Sequence, residues 1–490
     1  MESEKQKQGF YAIFAHAGAG YHSRENETAH LEACQRALKA GMNFLRNGAT
    51  AVDAVEVAIM MMEDAVITNA GYGSNLNVKG VVECDASIVD HFGRSGACGA
   101  VPSVKNPIMV ARKIYDQAYK SPGLSRVPPN FIAGEGAADF AWNNGIVIVP
   151  DNDLISPCAR ERYESWRKEI LEWEAECPEE AARDPFASWL RRPGVPHPIT
   201  RMEVDIQAKF NEAVPPIPGS DDGIMYPTQL KSGDSTDGSR SMPQSDTVWP
   251  GSSISNQAAP TGYDRSAQDG TCEEPSRDTK EPAQGRSGKM DTITDTVGVI
   301  AVDMFGHIAA GSSSGGIGMK HRGRVGPAAL IGIGTHVIPV DPTDPEETTV
   351  AAVTSGTGEH IASSFGASTC ASRLYYSQRM GRAGCFDNVG DEEAISAMIK
   401  KEFAGHPAVL NSEFPGSIGI LCVKKNVDGI AFHFAHNTES FVSLSMRVPF
   451  LEHPANLPSR LSGRCRVTTP RHLASCLATL GVAVSRREES

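Results

Sequence analysis

Asp295-Thr296-Val297-Gly298-Val299-Ile300-Ala301-Val302 is the stretch whose reading decides the fold. A long polar run leads up to it, and the chain then turns apolar at once, which reads as a strand beginning at Thr296. The threonine stands at the exposed end of that strand. A cut before Thr296 would make it a new N-terminus, carrying a hydroxyl nucleophile and, in its own α-amine, a base. A free α-amine titrates near ~7.7–8, so it can accept a proton close to neutral pH.

On the N-terminal side, residues from roughly 203 to 290 are dominated by Ser, Gly, Pro, Asp and Gln. Such a segment buries too little apolar surface to offset its ordering entropy, so the sequence predicts a disordered insertion rather than a domain. Before it, a strand from Phe10 to Ala15 runs into the small-residue loop His16-Ala17-Gly18-Ala19-Gly20. Helical patterns follow over 28–47 and 50–63, then the glycine- and asparagine-rich loop Thr68 to Asn75. Strands are expected at 81–89 and 97–101, and helices at 106–120 (opened by Asn106-Pro107), 134–144 and 159–176.

Beyond Thr296, strands at 297–303 and 307–312 flank the turn Met304-Phe305-Gly306 and lead to the loop Ser313-Ser314-Gly315-Gly316. A basic, turn-rich stretch spans Lys320 to Pro327. A strand over 350–354 runs into Ser355-Gly356-Thr357-Gly358-Glu359, which opens a helix. A helix near 391–404 and strands at 417–424 and 430–436 complete the pattern; residues 457–490 read equally as a short terminal helix or a tail. Clustered strands and helices in both halves predict a layered α+β protein with largely antiparallel sheets.

Composition narrows the function classes. The 490 residues are 40% hydrophobic and 21% charged, as in a soluble globular protein. The net charge of −13 argues against a non-specific nucleic-acid binder or a binder of anionic membranes. Eleven cysteines at irregular spacings, without a CxxC pair, suggest reduced thiols and a cytoplasmic setting, with nuclear entry left open. Met1 to Gln8 shows no secretory pattern, and no run of about 18 apolar residues exists to span a membrane.

Eight blocks in order carry a family likeness: His16 to Ser23, Thr68 to Asn77, Glu83 to Ile88, Asp295 to Gly298, Ser313 to Gly316, Lys320 to Gly326, Gly356 to Glu359, and Asn437-Thr438-Glu439. Together they resemble the threonine-nucleophile branch of the N-terminal-nucleophile hydrolases, which holds plant-type asparaginases, glycosylasparaginases and threonine aspartases. The resemblance implies a four-layer αββα sandwich made as one precursor. Self-cleavage between Asp295 and Thr296 would give an α chain (1–295) and a β chain (296–490) that form one catalytic domain. It further implies Thr296 as nucleophile, Ser314 as the second hydroxyl beside it, Arg324 as the grip on a substrate carboxylate, and Thr357 with Gly358 as the oxyanion hole. Asn69 is expected beside the nucleophile as a substrate contact, and Gly358 also faces the substrate. The family's loop there can hold a sodium ion through backbone carbonyls; no cofactor is required. Pairing of αβ units into a dimer is implied in the same way.

The residue chemistry fits these roles. A guanidinium reads a carboxylate through two parallel hydrogen bonds, so Arg324 suits an acidic group. A Gly-Thr-Gly loop at a helix start offers a hydroxyl and a backbone N–H to an oxyanion. His16 reads as a structural hydrogen-bonder, because the threonine amine already supplies the base.

The substrate turns on one position. Asparaginases and glycosylasparaginases usually carry an aspartate three residues after this arginine, to hold the substrate's α-ammonium; here that residue is Pro327. In a peptide cut after aspartate, the carbon beside the side-chain carboxylate bears only hydrogens, so no ammonium site is needed. Pro327 and the run Lys320 to Leu330 therefore favour an endopeptidase that cuts protein substrates after aspartate. A small-molecule amidohydrolase, an asparaginase or isoaspartyl peptidase, is the alternative, and an acid supplied from elsewhere in the fold would revive it. A catalytically silent scaffold is the third reading, opposed by the joint presence of Thr296, Ser314, Arg324 and Thr357.

Overall fold

In β5 (Val297–Val302), the odd residues face one way and the even residues the other, and every one is buried. Val297, Val299 and Ala301 pack against helices, whereas Ile300 and Val302 pack against a second sheet. Burial on both faces is what a central strand of a layered fold requires. The computed structural model describes residues 11–20, 22–23, 26–118, 120, 123–183 and 296–447, plus the backbone of 464–468, 474–477 and 481–486. All of these belong to one compact unit. The expected insertion at 203–290, Asp295 and the first eight residues lie outside the described residues.

The chain opens with β1 (Ala12–Gly20), α1 (Glu27–Arg46) and α2 (Ala51–Glu63), followed by β2 (Glu83–Val89), β3 (Ser95–Pro102), α3 (Pro107–Gln117), β4 (Phe131–Ala133) and α4 (Gly134–Asn143). Two further helices, α5 (Pro157–Glu176) and α6 (Pro178–Arg183), end the first half. After β5 come β6 (Ile308–Ser314), β7 (Thr335–Ile338), β8 (Thr349–Gly356), α7 (Gly358–Ser364), α8 (Gly366–Tyr375), the short pair β9 (Gln378–Met380) and β10 (Phe386–Asn388), and α9 (Asp391–Ala397). Strands β11 (Ile418–Asn426), β12 (Gly429–His436) and β13 (Ser440–Arg447) follow. The segment with no assignable pattern holds three strands: β14 (Arg464–Thr468), β15 (Ala474–Leu477) and β16 (Gly481–Arg486).

One sheet has the order β14-β16-β13-β1-β5-β6-β2-β3-β4 and the other β15-β12-β11-β8-β7. Pairing is antiparallel except at β3–β4 and β14–β16. Helices α1 to α4 cover the outer face of the first sheet through Leu38, Met42, Val55, Ile59, Ile108 and Ala137. Helices α7 to α9 cover the outer face of the second through Ile361, Leu374 and Ile395. Between the sheets lie Phe14, Ile300, Val353, Leu421, Phe432 and Phe441. Each such side chain contributes about 1.5–3 kcal/mol on full burial. The architecture is a four-layer αββα sandwich.

Two expectations change locally. The small-residue stretch His16 to Gly20 is not a loop: β1 continues through it, with an irregularity in register between His16 and Gly18. A bulge lets one strand re-aim its end without leaving the sheet. The expected helix over 391–404 divides into α9 and a wider π-type turn, Met398–Phe403.

The inter-sheet rows change character along their length. Reading toward one end of the sandwich, β5 presents Val302, Ile300, Gly298 and Thr296; β6 presents Ile308, Ala310, Ser312 and Ser314. Strand β8 presents Ala351, Val353 and Ser355, and β2 presents Val89, Ser87 and Asp85. Apolar side chains give way to hydroxyls and a carboxylate at the same end of four strands. The site lies there.

Candidate active site

Thr296 immediately precedes β5 and is 6% exposed. Its Oγ1 donates to Ser314 Oγ at 3.2 Å, long for a hydroxyl pair. Ser314 Oγ also accepts from the Gly316 N–H at 3.0 Å. The backbone nitrogen of Thr296 donates to Ser355 Oγ at 3.2 Å, and the same oxygen accepts from Ala19 N at 3.0 Å. Three strands, β5, β6 and β8, thus bring three hydroxyls together, while β1 holds the third in place.

Asn69 stands one step behind this group. It is fully buried; its Nδ2 donates to Gly316 O at 2.7 Å and its Oδ1 accepts from Asn75 N at 2.8 Å. Gly315 N donates to Asn69 O at 2.8 Å. Both ends of the amide are engaged, so Asn69 shapes the turn after Ser314. The same loop has a carbonyl cluster. A β-carbon at Gly73 would lie 2.6 Å from Val66 O and 2.9 Å from Ala65 O, and would overlap Thr68 O. Converging carbonyl oxygens suit a hard cation, and this is the loop where the family likeness implies a sodium ion; Ala65 O already accepts from Thr68 N and Oγ1.

His16 pairs in register with Gly298. A β-carbon at 298 would overlap His16 Nε2 and come within 2.9 Å of Val353 Cγ2. The glycine two residues after Thr296 is thereby explained: it admits the imidazole, which also packs on Phe441 with ring centroids 5.4 Å apart.

Strand β2 holds the turn that presents Arg324. Buried Asp85 accepts from Gly326 N at 2.8 Å and from Ala100 N at 2.8 Å. Burial pushes its carboxyl above the usual range, with the charge of Lys320 opposing. Lys320, also buried, donates from Nζ to Glu83 O at 2.7 Å. Glu83 Oε2 accepts from Gly323 N at 2.9 Å. So anchored, the guanidinium of Arg324 lies against glycine backbone: a β-carbon on Gly326 or Gly358 would be 2.6 Å from Nη1 or Nη2, respectively. Arg324 Nε and Nη2 both donate to Glu359 Oε1, at 3.0 and 2.8 Å. Pro327 packs at the same face of Gly358, its Cδ 2.8 Å from the same β-carbon position.

Thr357, expected at the oxyanion hole, bonds to a neighbouring segment. The Thr357 hydroxyl donates to Pro415 O at 3.3 Å and accepts from Ser417 N at 3.2 Å, and Thr357 N donates to Ser417 O at 2.8 Å. Its polar groups tie the start of α7 to the segment 415–417. Gly358 opens α7 beside Arg324 and Pro327. Ser355, two residues earlier, is the hydroxyl at the Thr296 nitrogen. The strand's alternation carried that signal, since Ala351, Val353 and Ser355 share the inter-sheet face. Asn437 braces the arrangement: its Nδ2 donates to Gly416 O at 2.8 Å and its Oδ1 accepts from Ile418 N at 2.7 Å.

A threonine at the head of a central strand in an αββα sandwich, with a second hydroxyl at its side chain and a third at its nitrogen, defines the N-terminal-nucleophile hydrolase class. The profile of the family described as Asparaginase matches residues 9–186 and 248–424, well over half of the chain, and the chain belongs to that family. An isoaspartyl peptidase/L-asparaginase of Bos taurus is 39% identical over 163 residues, covering 33% of this chain and 49% of the relative. The Homo sapiens protein of the same name is 36% identical over 161 residues, with 33% and 49% covered. A probable isoaspartyl peptidase/L-asparaginase 2 of Arabidopsis thaliana is 38% identical over 149 residues, with 30% and 43% covered. The chain spans about half the length of these curated relatives. Among the described residues, no helix is long and apolar enough to cross a membrane.

Proposed function

We propose that the protein is a self-activating threonine hydrolase that cleaves amide bonds of aspartyl groups, with asparagine and isoaspartyl peptides as its substrate class. The observation that carries this reading is the meeting of Thr296 Oγ1 with Ser314 Oγ, and of the Thr296 nitrogen with Ser355 Oγ. In the precursor, the Thr296 hydroxyl attacks the Asp295 carbonyl carbon. The carbon–nitrogen bond breaks, the nitrogen leaves as an amine, and an ester joins the two residues. Water opens the ester, releasing the Asp295 carboxylate and restoring the hydroxyl. The new amine then serves as base when Thr296 attacks a substrate carbonyl, and passes the proton to the departing nitrogen. A second water frees the aspartyl acyl group.

Arg324 supplies the grip on the substrate carboxylate. The names of the relatives support a side-chain amide of free asparagine, or an isoaspartyl bond, as the scissile group. An aspartate-directed endopeptidase is the second reading, favoured by Pro327, which offers no charge to an ammonium. If sodium binds at the carbonyls of Ala65, Val66 and Thr68, it would stiffen the loop that Asn69 extends to the nucleophile's turn. The test is a panel of L-asparagine, a β-aspartyl dipeptide and peptides with an internal aspartate. Ammonia or amino-acid release from the first two supports the proposal; cleavage of the internal peptides alone supports the endopeptidase. No turnover of any contradicts both.

A further inference from the structure

The guanidinium of Arg324 is not bare. Glu359 Oε1 accepts from Nε and Nη2, at 3.0 and 2.8 Å. The glutamate is exposed and Arg324 mostly buried, with side-chain exposures of 60% and 15%. A simple carboxylate approaching Arg324 therefore meets a like charge beside its intended partner. An amino acid meets something different. Its carboxylate and ammonium sit on one carbon, and a guanidinium–carboxylate couple is their complement: opposite charges face each other on both sides. Pro327 and Gly358 form the adjoining wall and carry no charge, so among these residues Glu359 alone can receive a cation.

We propose that Glu359 is the specificity-determining residue of this pocket. It accepts the substrate's α-ammonium while Arg324 takes the α-carboxylate, filling the role left vacant by Pro327. The inference rests on reading the pocket as one for aspartyl amides and names its substrates as zwitterions. A glutamate on α7 reaches the position from the side of Gly358 rather than from the Arg324 turn. The sequence pattern alone does not show this.

The test compares L-asparagine with succinamate, which keeps the carboxylate and the amide but lacks the ammonium. The unsubstituted, self-processed protein should favour L-asparagine in kcat/KM by ~10-fold or more, the scale of one charge-assisted hydrogen bond. Glu359→Gln should lose most of that preference: asparagine hydrolysis falls by ~10-fold or more and succinamate hydrolysis rises. Calorimetric binding of the products, L-aspartate against succinate, should show the same reversal and does not depend on turnover. An equal effect of Glu359→Gln on both members of either pair, or no preference for L-aspartate in the unsubstituted protein, overturns the proposal. Failure to hydrolyse either amide, with the aspartate preference intact, would count against the proposed function and leave the role of Glu359 standing.

Discussion

Ser355 Oγ lies 3.2 Å from the backbone nitrogen of Thr296 and 3.0 Å from that of Ala19. The atom that self-cleavage would turn into an amine is already oriented by a buried hydroxyl, itself held from β1. An amine acts as a base only when its lone pair is aimed at the proton it takes, so this contact positions the base before it exists.

Ser355→Ala should therefore lower kcat by about 10²-fold, with a smaller change in KM, and shift the acidic limb of the pH–rate profile, where the amine acting as base becomes protonated. Thr357→Val, which loses bonds to Pro415 and Ser417 but none to Thr296, should cost less in kcat and more in thermal stability. Steady-state kinetics of the two variants side by side decide the point; a larger kcat loss for Thr357→Val would reverse the assignment.

Arg324→Ala removes the carboxylate grip and leaves the Thr296 surroundings in place. Hydrogen bonds to charged groups are worth about 1.5–3 kcal/mol, so kcat/KM should fall by ~10–100-fold. Self-cleavage, followed on a denaturing gel, should continue. Loss of both to the same degree would make Arg324 a structural residue.

Gly298→Ala sets a methyl group against His16 Nε2 and Val353. Overpacking of this kind costs about 1–3 kcal/mol, and here the strain falls two residues from the nucleophile. Thermal melting should show the loss, and processing should slow. An unchanged melting temperature would mean that the imidazole has room to move.

Glu63 is fully buried at the end of α2, where its Oε1 accepts from Ser313 Oγ at 2.7 Å and from Ile108 N at 3.0 Å. Burial pushes its carboxyl up to about 8. An unfolded glutamate titrates near 4.5, so between these values the folded chain holds the extra proton. Stability from this group is full below about pH 4.5 and is lost as pH rises through 8. Glu63→Gln, which imitates the neutral acid, should match the parent near pH 4 and exceed it above pH 8 in denaturant titrations. Identical pH profiles would contradict the assignment.

The layers were legible in the sequence because the strands that carry them are short apolar runs bounded by polar turns. Val297 to Val302 and Val350 to Thr354 bury both faces, and α1 and α2 show helical spacing. What escaped was set by contacts distant along the chain. Strand β1 continues through His16 to Gly20 because it pairs with β13 more than 400 residues later, and its run of small residues reads locally as a loop. Thr296, Ser314 and Arg324 could be proposed from ordered motifs. Ser355 needed the strand phase, which puts it on the same face as Ala351 and Val353. The Glu359–Arg324 pair depends on how α7 packs beside the Arg324 turn, and no local pattern encodes that.

The central claim is that the Thr296 nitrogen becomes a free amine by the protein's own action. Intact-mass measurement with N-terminal sequencing of purified protein, beside Thr296→Ala, tests it most directly. The account predicts a fragment beginning Thr296-Val297-Gly298 in the parent and a single uncut chain in the variant. An uncut parent that turns over substrate, or a cut at this bond in Thr296→Ala, would contradict it.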